Sequence, residues 1–255
     1  MKKSMLMTPD NTQAVLEDRK TQTRRLIVPQ PEWMGQEGIA AAGWSWRHGF
    51  NPPNYQSWPD ADVFGMVMEK HARYKVGDIV VLRTTWAVLP EWDSRKPSEI
   101  DPAQVSIWFW FTGCGKPKPP GAGKSRPGRF LPKTLWHYMP RVKIAAVRAQ
   151  RLQDISEADA IAEGVAPLYS HDDIHHPRYY PEFDLNPMPY ANYLWHGHVG
   201  KTITRKQADA WDYQYPGYDT AVGSFSSLWD SINAKRSPWT NNDWVFAYTF
   251  ERVKP

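Results

Sequence analysis

The chain has 255 residues, of which 41% are hydrophobic, with 23 prolines, 16 glycines, 14 tryptophans and a single cysteine, Cys114. One cysteine excludes an internal disulfide and a four-cysteine zinc site, and a formal net charge of +4 is too small to tell a nucleic-acid ligand from an ordinary protein surface. No apolar run approaches the ~20 residues that span a bilayer, and the one after Met1-Lys2-Lys3-Ser4 is too short for a signal peptide, so a cytoplasmic protein with no membrane partner is expected.

In chain order, Leu6 to Asp10 reads as a helix start. Thr8 can cap exposed backbone donors, and Pro9 occupies the first helical position, where its missing N–H costs nothing. Ala14, Val15 and Leu16 can face a core, and the helix should end near Asp18. It then delivers Arg19-Lys20-Thr21-Gln22-Thr23-Arg24-Arg25, which sets a primary amine beside two hydroxyls and several guanidinium groups. Such a set suits a carboxylate or phosphate ligand, or a nucleophile if the lysine is neutral. Val28 to Asp60 is rich in Pro, Gly, Trp and Asn without a sustained period, as expected of an ordered, aromatic insertion.

Val63 to Met68 is read as a strand, and Tyr74 to Asp78 as a turn feeding a second strand, Ile79 to Arg83. Val105 to Phe111 is a further aromatic strand candidate, followed by a Pro/Gly/Lys loop from Gly113 to Arg129. Val142 to Arg148 is apolar on both faces in places, as a central strand would be. Ser156 is a good N-cap for a short helix with Asp159 at its third position and Gly164 as its stop. Glu163 therefore sits in the last turn, where the helix dipole disfavours an anion. A second insertion, rich in His, Tyr and Pro, covers Pro167 to Tyr218. Phe225 to Asn233 is an amphipathic helix with Leu228, Trp229 and Ile232 on one side, and Trp244 to Phe250 alternates as a strand does. These elements predict an α+β fold with a largely antiparallel sheet.

Several other motifs carry less. His171, His175, His176, His196 and His198, with Asp172 and Asp173, are metal-ligand types, but nothing brings the second group to the first; they read as surface or structural residues, and no metal or cofactor is expected. Gly121 to Ser125 resembles the end of a phosphate-binding loop whose first glycine is missing, because Lys118 stands there. Gly200-Lys201-Thr202-Ile203-Thr204-Arg205 repeats the Lys20 pattern without its flanking helix. Trp86, Trp108, Trp110, Trp136 and Trp244 are core candidates.

The Arg19 to Arg24 block, the Tyr74 to Asp78 turn, the Leu152 to Gly164 block and the terminal β-run together resemble the ASCH-domain family of PUA-like proteins. The pattern of His137 to Arg141 and Phe225 to Asn233 is similar to long phage and prophage members. The resemblance implies a single domain built on a mostly antiparallel PUA-like β-barrel with short flanking helices and insertions at about 29–60, 90–129 and 166–220. It also implies an amidohydrolase that removes acyl groups from the exocyclic N4 of cytidine or cytosine derivatives without a metal. Carried over by motif, the catalytic set is Lys20, Thr23 and Glu163, with Glu157 the rival for the last place; Thr21, Arg24, Arg83 and Arg141 are substrate-binding candidates. One departure is Thr84, where long members often carry glutamate. The alternative the family offers is a PUA-like module that binds RNA or modified nucleic acid without chemistry.

Amide hydrolysis needs a nucleophile, a base, an acid for the departing amine and donors for the oxyanion. Thr23 can attack, provided Lys20 takes its proton. That requires the lysine to fall well below its ordinary value of about 10.4, through burial and neighbouring arginines. A direct Glu163–Lys20 ion pair would oppose this. In the other arrangement Glu163 is the base for a water, and Thr23 and Lys20 hold the oxyanion.

Overall fold

The strongest strand signal forms the longest ladder. In a computed structural model that describes residues 3–34, 43–45, 65–66, 68–109, 121–165 and 220–254, β8 (Arg141–Arg151) and β9 (Trp244–Val253) pair antiparallel from Arg141↔Val253 to Arg151↔Trp244, with a bulge between Ile144 and Ala146. The alternation predicted for β9 separates two packing environments. Trp244, Phe246, Tyr248 and Phe250 enter the main core with Met5, Val15, Leu82 and Ile144. Val245, on the other face, joins Leu152, Ala160, Phe225 and Trp229.

Around this pair the sheet runs β1-β5-β8-β9-β2. β1 (Lys3–Leu6) lies parallel to β5 (Ile79–Arg83), while β5 with β8, and β9 with β2 (Gln22–Leu26), are antiparallel. The fold is thus α+β with a mostly antiparallel sheet. β1 and β2 are its opposite edges, yet the Arg25 guanidinium donates from β2 to the Leu6 carbonyl at the end of β1. β3 (Glu32–Met34) with β4 (Gly43–Ser45), and β6 (Trp86–Ala87) with β7 (Trp108–Phe109), form separate two-stranded pieces. Beside the second of these, Trp86, Val88, Leu135 and Trp136 form a third apolar cluster.

Helix α1 (Pro9–Leu16) begins as its sequence dictates: the Thr8 hydroxyl accepts from the Asn11 N–H, and Ala14 and Val15 are buried. It stops at Asp18, whose φ of 58° is left-handed. Helix α2 (Glu157–Ala162) is capped by Ser156, which accepts from the Asp159 N–H, and Gly164 ends it with a φ of +87°. Helix α3 (Ala221–Asn233) is capped by Thr220. Among the described residues no helix is long and apolar enough to cross a membrane.

Four expectations change. Gly65, Met66, Met68 and Glu69 are helical rather than extended, because a short apolar run has no periodicity that separates the two states. Packing decides: a Cβ on Gly65 would stand 2.8 Å from the Ala149 carbonyl oxygen, and Glu69 accepts from the Ala149 N–H. In the Val105 to Phe111 region only Trp108 and Phe109 are in a strand among the described residues. β8 is central, but Arg141, Lys143, Ala145 and Arg148 are exposed, so one of its faces is wetter than its apolar content suggested. In α3 the buried residues include Ala221, Phe225 and Trp229, which leaves Ile232 57% exposed. Trp110, Cys114, the five histidines between 171 and 198, and Gly200 to Arg205 lie outside the described residues.

Candidate active site

Three backbone bonds carry the basic motif from α1 into β2 and against α2. The N–H groups of Arg19 and Lys20 both donate to the Ala14 carbonyl, ending the helix, and the Thr21 N–H donates to the Ala162 carbonyl at the end of α2. This clamp places Lys20 under the last turn of α2, with Glu163 as the cap residue. Gly164 makes room for it. A Cβ there would lie 3.0 Å from the Lys20 Cβ, so the lysine stem packs where any other residue would project.

The Lys20 Nζ donates to the Glu163 Oε2 at 2.7 Å and to the Glu163 carbonyl oxygen at 2.6 Å, across 143 residues of chain. The other carboxylate oxygen of Glu163 accepts from Arg24 Nη1 at 3.0 Å, and that same nitrogen donates to Gln22 Oε1. Arg24 Nη2 reaches Asp159 Oδ2 at 3.1 Å, and Asp159 also accepts from Gln22 Nε2 and Arg148 Nη2, each at 2.7 Å. Lys20, Gln22, Arg24 and Glu163 are all buried. Three cations, Lys20, Arg24 and Arg148, thus share two carboxylates, Asp159 and Glu163.

Charge in such a place is governed by burial and by partners. Burial would raise the Glu163 carboxyl, but the charges and hydrogen bonds of Lys20 and Arg24 outweigh it and hold the group below its ordinary value. For Lys20 burial is also the largest effect, and it lowers the lysine. Glu163 opposes the shift, Arg25 and Arg24 add to it, and the balance stays below the ordinary lysine value. The direct ion pair is present, yet it does not restore a normal ammonium, because Glu163 also neutralises Arg24 and an arginine keeps its charge in a protein interior.

Strand pairing sorts the remaining candidates. Directly paired residues share a face, so Thr23 and Arg25 lie on the side of Tyr248 and Phe246, while Gln22 and Arg24 lie on the side of Thr249 and Ala247. Thr23 is buried on the face of β2 opposite Gln22 and Arg24, and among the described residues no hydrogen bond joins it to Lys20 or Glu163. Thr21 is exposed, and its carbonyl accepts from the Phe250 N–H. Arg141 is exposed at the start of β8, opposite Val81 and Val253, and has no bond to the cluster. Arg83 sits at the end of β5 over the Trp136 ring, 5.5 Å from its centroid, and donates to the Arg129 carbonyl. Thr84 is 1% exposed, with a sealed hydroxyl that has no acceptor or donor among the described residues.

Of the two glutamates that compete for the Lys20 partner, the structure brings Glu163 to it. Glu157 instead turns to α3 and accepts from the Ala221 N–H at 2.7 Å and the Val222 N–H at 3.3 Å. Sequence reasoning did not find Gln22 and Asp159 as members of the cluster. Period-2 alternation from Arg24 pointed to Gln22, and the first-turn position of Asp159 on the helix carrying Glu163 was a usable signal.

The Gly121 to Ser125 loop holds a carboxylate rather than a ligand: the Lys124 N–H donates to both carboxylate oxygens of Asp93 at 2.8 Å. Among the described residues no group of three metal-ligating side chains gathers. In comparisons with known proteins, no family model, no curated protein and no solved structure matches the chain.

Proposed function

We propose that this chain is a PUA-like, ASCH-type amidohydrolase that removes acyl groups from the exocyclic N4 of cytosine nucleosides or bases, with Lys20 as its general base. The observation that carries the reading is the hydrogen-bond count at Lys20. An ammonium has three N–H donors, and among the described residues the Lys20 Nζ has two acceptors, both from Glu163. A neutral amine has two N–H bonds and one lone pair, so it fills both acceptors and keeps a proton-accepting site. The surplus of one cation in the cluster points the same way, since losing the lysine proton balances the charge of Arg24 and Arg148 against Asp159 and Glu163. The Arg25 link between the edge strands supports a sheet curled toward a barrel.

In this mechanism the attacking hydroxyl gives its proton to the Lys20 lone pair as it bonds to the acyl carbon. The resulting ammonium is stabilised by Glu163, whose orientation Arg24 fixes, and it returns the proton to the departing exocyclic amine. The C–N bond breaks, leaving cytosine with a free amino group and the acyl carbon bonded to the attacking oxygen. That oxygen belongs to Thr23 or to a water. If it is Thr23, a second water releases the acid from the acyl-enzyme.

The test is cytidine release from N4-acetylcytidine by the purified protein, followed by chromatography across a pH series. General-base catalysis is worth about 10²–10⁴-fold, so Lys20→Ala should lose at least about a hundredfold in kcat/KM while remaining folded. Thr23→Ala separates the nucleophiles: a similar loss marks threonine, and retention within about tenfold marks water. Release that persists in Lys20→Ala, or no release by the folded wild type from acetyl, butyryl and benzoyl substrates, overturns the proposal.

A further inference from the structure

The side of β2 opposite Gln22 and Arg24 opens on a cleft of about 390 Å³. Its lining includes Arg25, Arg73, Arg83, Tyr74, Phe246 and Tyr248, and among the described residues no aspartate or glutamate. None of the three arginines forms an ion pair with a carboxylate among the described residues. All three share the cleft lining with Tyr74, whose hydroxyl their charges reach together with that of Lys3. Arg73 also repels Arg83. The carboxylate whose charge reaches Arg25 is that of Glu163, which already holds Lys20 and Arg24.

Like charges brought together in a concave site are costly unless an anion joins them. The internal bonds leave donors over. Arg25 uses one terminal nitrogen on the Leu6 carbonyl, and Arg83 uses one on the Arg129 carbonyl. Arg73 lies over the Tyr74 ring, 5.6 Å from its centroid, and is exposed. A carboxylate brings a single charge. A phosphate monoester brings about −1.5 to −2 at neutral pH and three acceptor oxygens, which suits several guanidinium forks. Tyr74 and Tyr248 meet edge to face at 5.1 Å, with Phe246 beside them, so that the cleft floor is a buried, rigid aromatic backing behind the arginines. The volume is in the range of small-molecule sites.

We propose that the cleft between β1, β2 and the 71–74 segment binds the phosphate monoester of a small molecule such as a mononucleotide, with Arg25, Arg73 and Arg83 around the phosphate. This site lies on the other face of β2 from Gln22 and Arg24, and it stands whether or not Lys20 is a catalytic base.

The experiment is calorimetric titration of the full chain at low salt with AMP, CMP, GMP and UMP, the four parent nucleosides, inorganic phosphate, and a short oligonucleotide with or without a 5′-phosphate. At least one mononucleotide should bind at least tenfold tighter than its nucleoside, and its affinity should fall as salt is raised. Arg73→Gln, at an exposed position that the fold does not need, should weaken binding about tenfold or more, and Arg83→Gln should do the same. Equal affinity for nucleoside and nucleotide, unchanged binding in both variants, or no mononucleotide binding at millimolar concentration overturns the proposal. Binding of the 5′-phosphorylated oligonucleotide without binding of any mononucleotide also overturns it, in favour of a chain end. Loss of N4-acetylcytidine hydrolysis in Lys20→Ala with nucleotide binding intact would leave this site standing by itself.

Discussion

Replacing Glu163 by glutamine keeps the side-chain volume and removes the charge. In the wild type one carboxylate oxygen faces Lys20 at 2.7 Å and the other faces Arg24 at 3.0 Å. An amide can accept from only one of them and must point its NH₂ at the other, so one donor meets a donor in a buried place. Removing one partner of a buried ion pair costs about 3–5 kcal/mol. The lower end applies here, because Arg24 keeps Asp159 and Gln22, and Lys20 can give up a proton it holds weakly. About 3 kcal/mol at this chain length lowers Tm by roughly 6–12 °C. Urea denaturation at pH 7 reads the free energy, and a thermal melt reads the midpoint. Lys20→Met is the companion variant: it removes the surplus cation and leaves Arg24–Glu163 intact, so it should cost less than Glu163→Gln. A Glu163→Gln variant within 1 kcal/mol of wild type would refute the claim that the carboxylate holds two cations. A Lys20→Met variant costing more than Glu163→Gln would refute the neutral amine.

The same cluster sets a pH dependence with two limbs. Glu163 lies below its ordinary value in the folded state, so its stabilisation is full above the unfolded pKa and is lost as pH falls through the folded one; Glu163→Gln should flatten that acid limb of urea stability. Lys20 also lies below its ordinary value, so between its folded and unfolded values the unfolded chain binds more protons and stability rises with pH; Lys20→Met should remove the rise. Gly164→Ala should cost at least about 1 kcal/mol, because φ is +87° and the new methyl would meet the Lys20 Cβ at 3.0 Å; a neutral effect on Tm would show that the α2 end relaxes freely. Glu157→Ala removes the carboxylate cap on α3 and should cost about 1–2 kcal/mol without changing the activity pH profile, which separates this glutamate from Glu163.

Helix ends and the alternating strand were legible in the chain because their causes are local. Thr8 with Pro9, Ser156 and Gly164 act within a few residues of themselves, and each does what its chemistry predicts. The terminal β-run carries its own period, so β9 could be read without knowing its partners. Gly65, Met66 and Met68 are helical where the sequence reads as a strand, because a few apolar residues are equally good helix and strand, and this segment packs on the backbone of β8. Ile232 shows the same limit in a helix. It falls on the same stripe as Phe225 and Trp229 but at the far end of α3, where it is 57% exposed.

For the candidate site, the chain itself determined the ingredients: a lysine just past a helix stop, an arginine two alternations on from it, and a glutamate at the end of a later helix. Their relation was a matter of tertiary structure alone. Lys20 and Glu163 are 143 positions apart, and whether they touch depends on how α2 lies across the start of β2. The protonation preference of Lys20 is decided at the same level, because burial and the sharing of one carboxylate by two cations exist only once those elements are packed. The basic cleft follows the same rule. Arg25 and Arg83 stand out in the sequence separately and Arg73 not at all, and they become one charged site because the ends of the sheet and the 71–74 segment bring them to one opening.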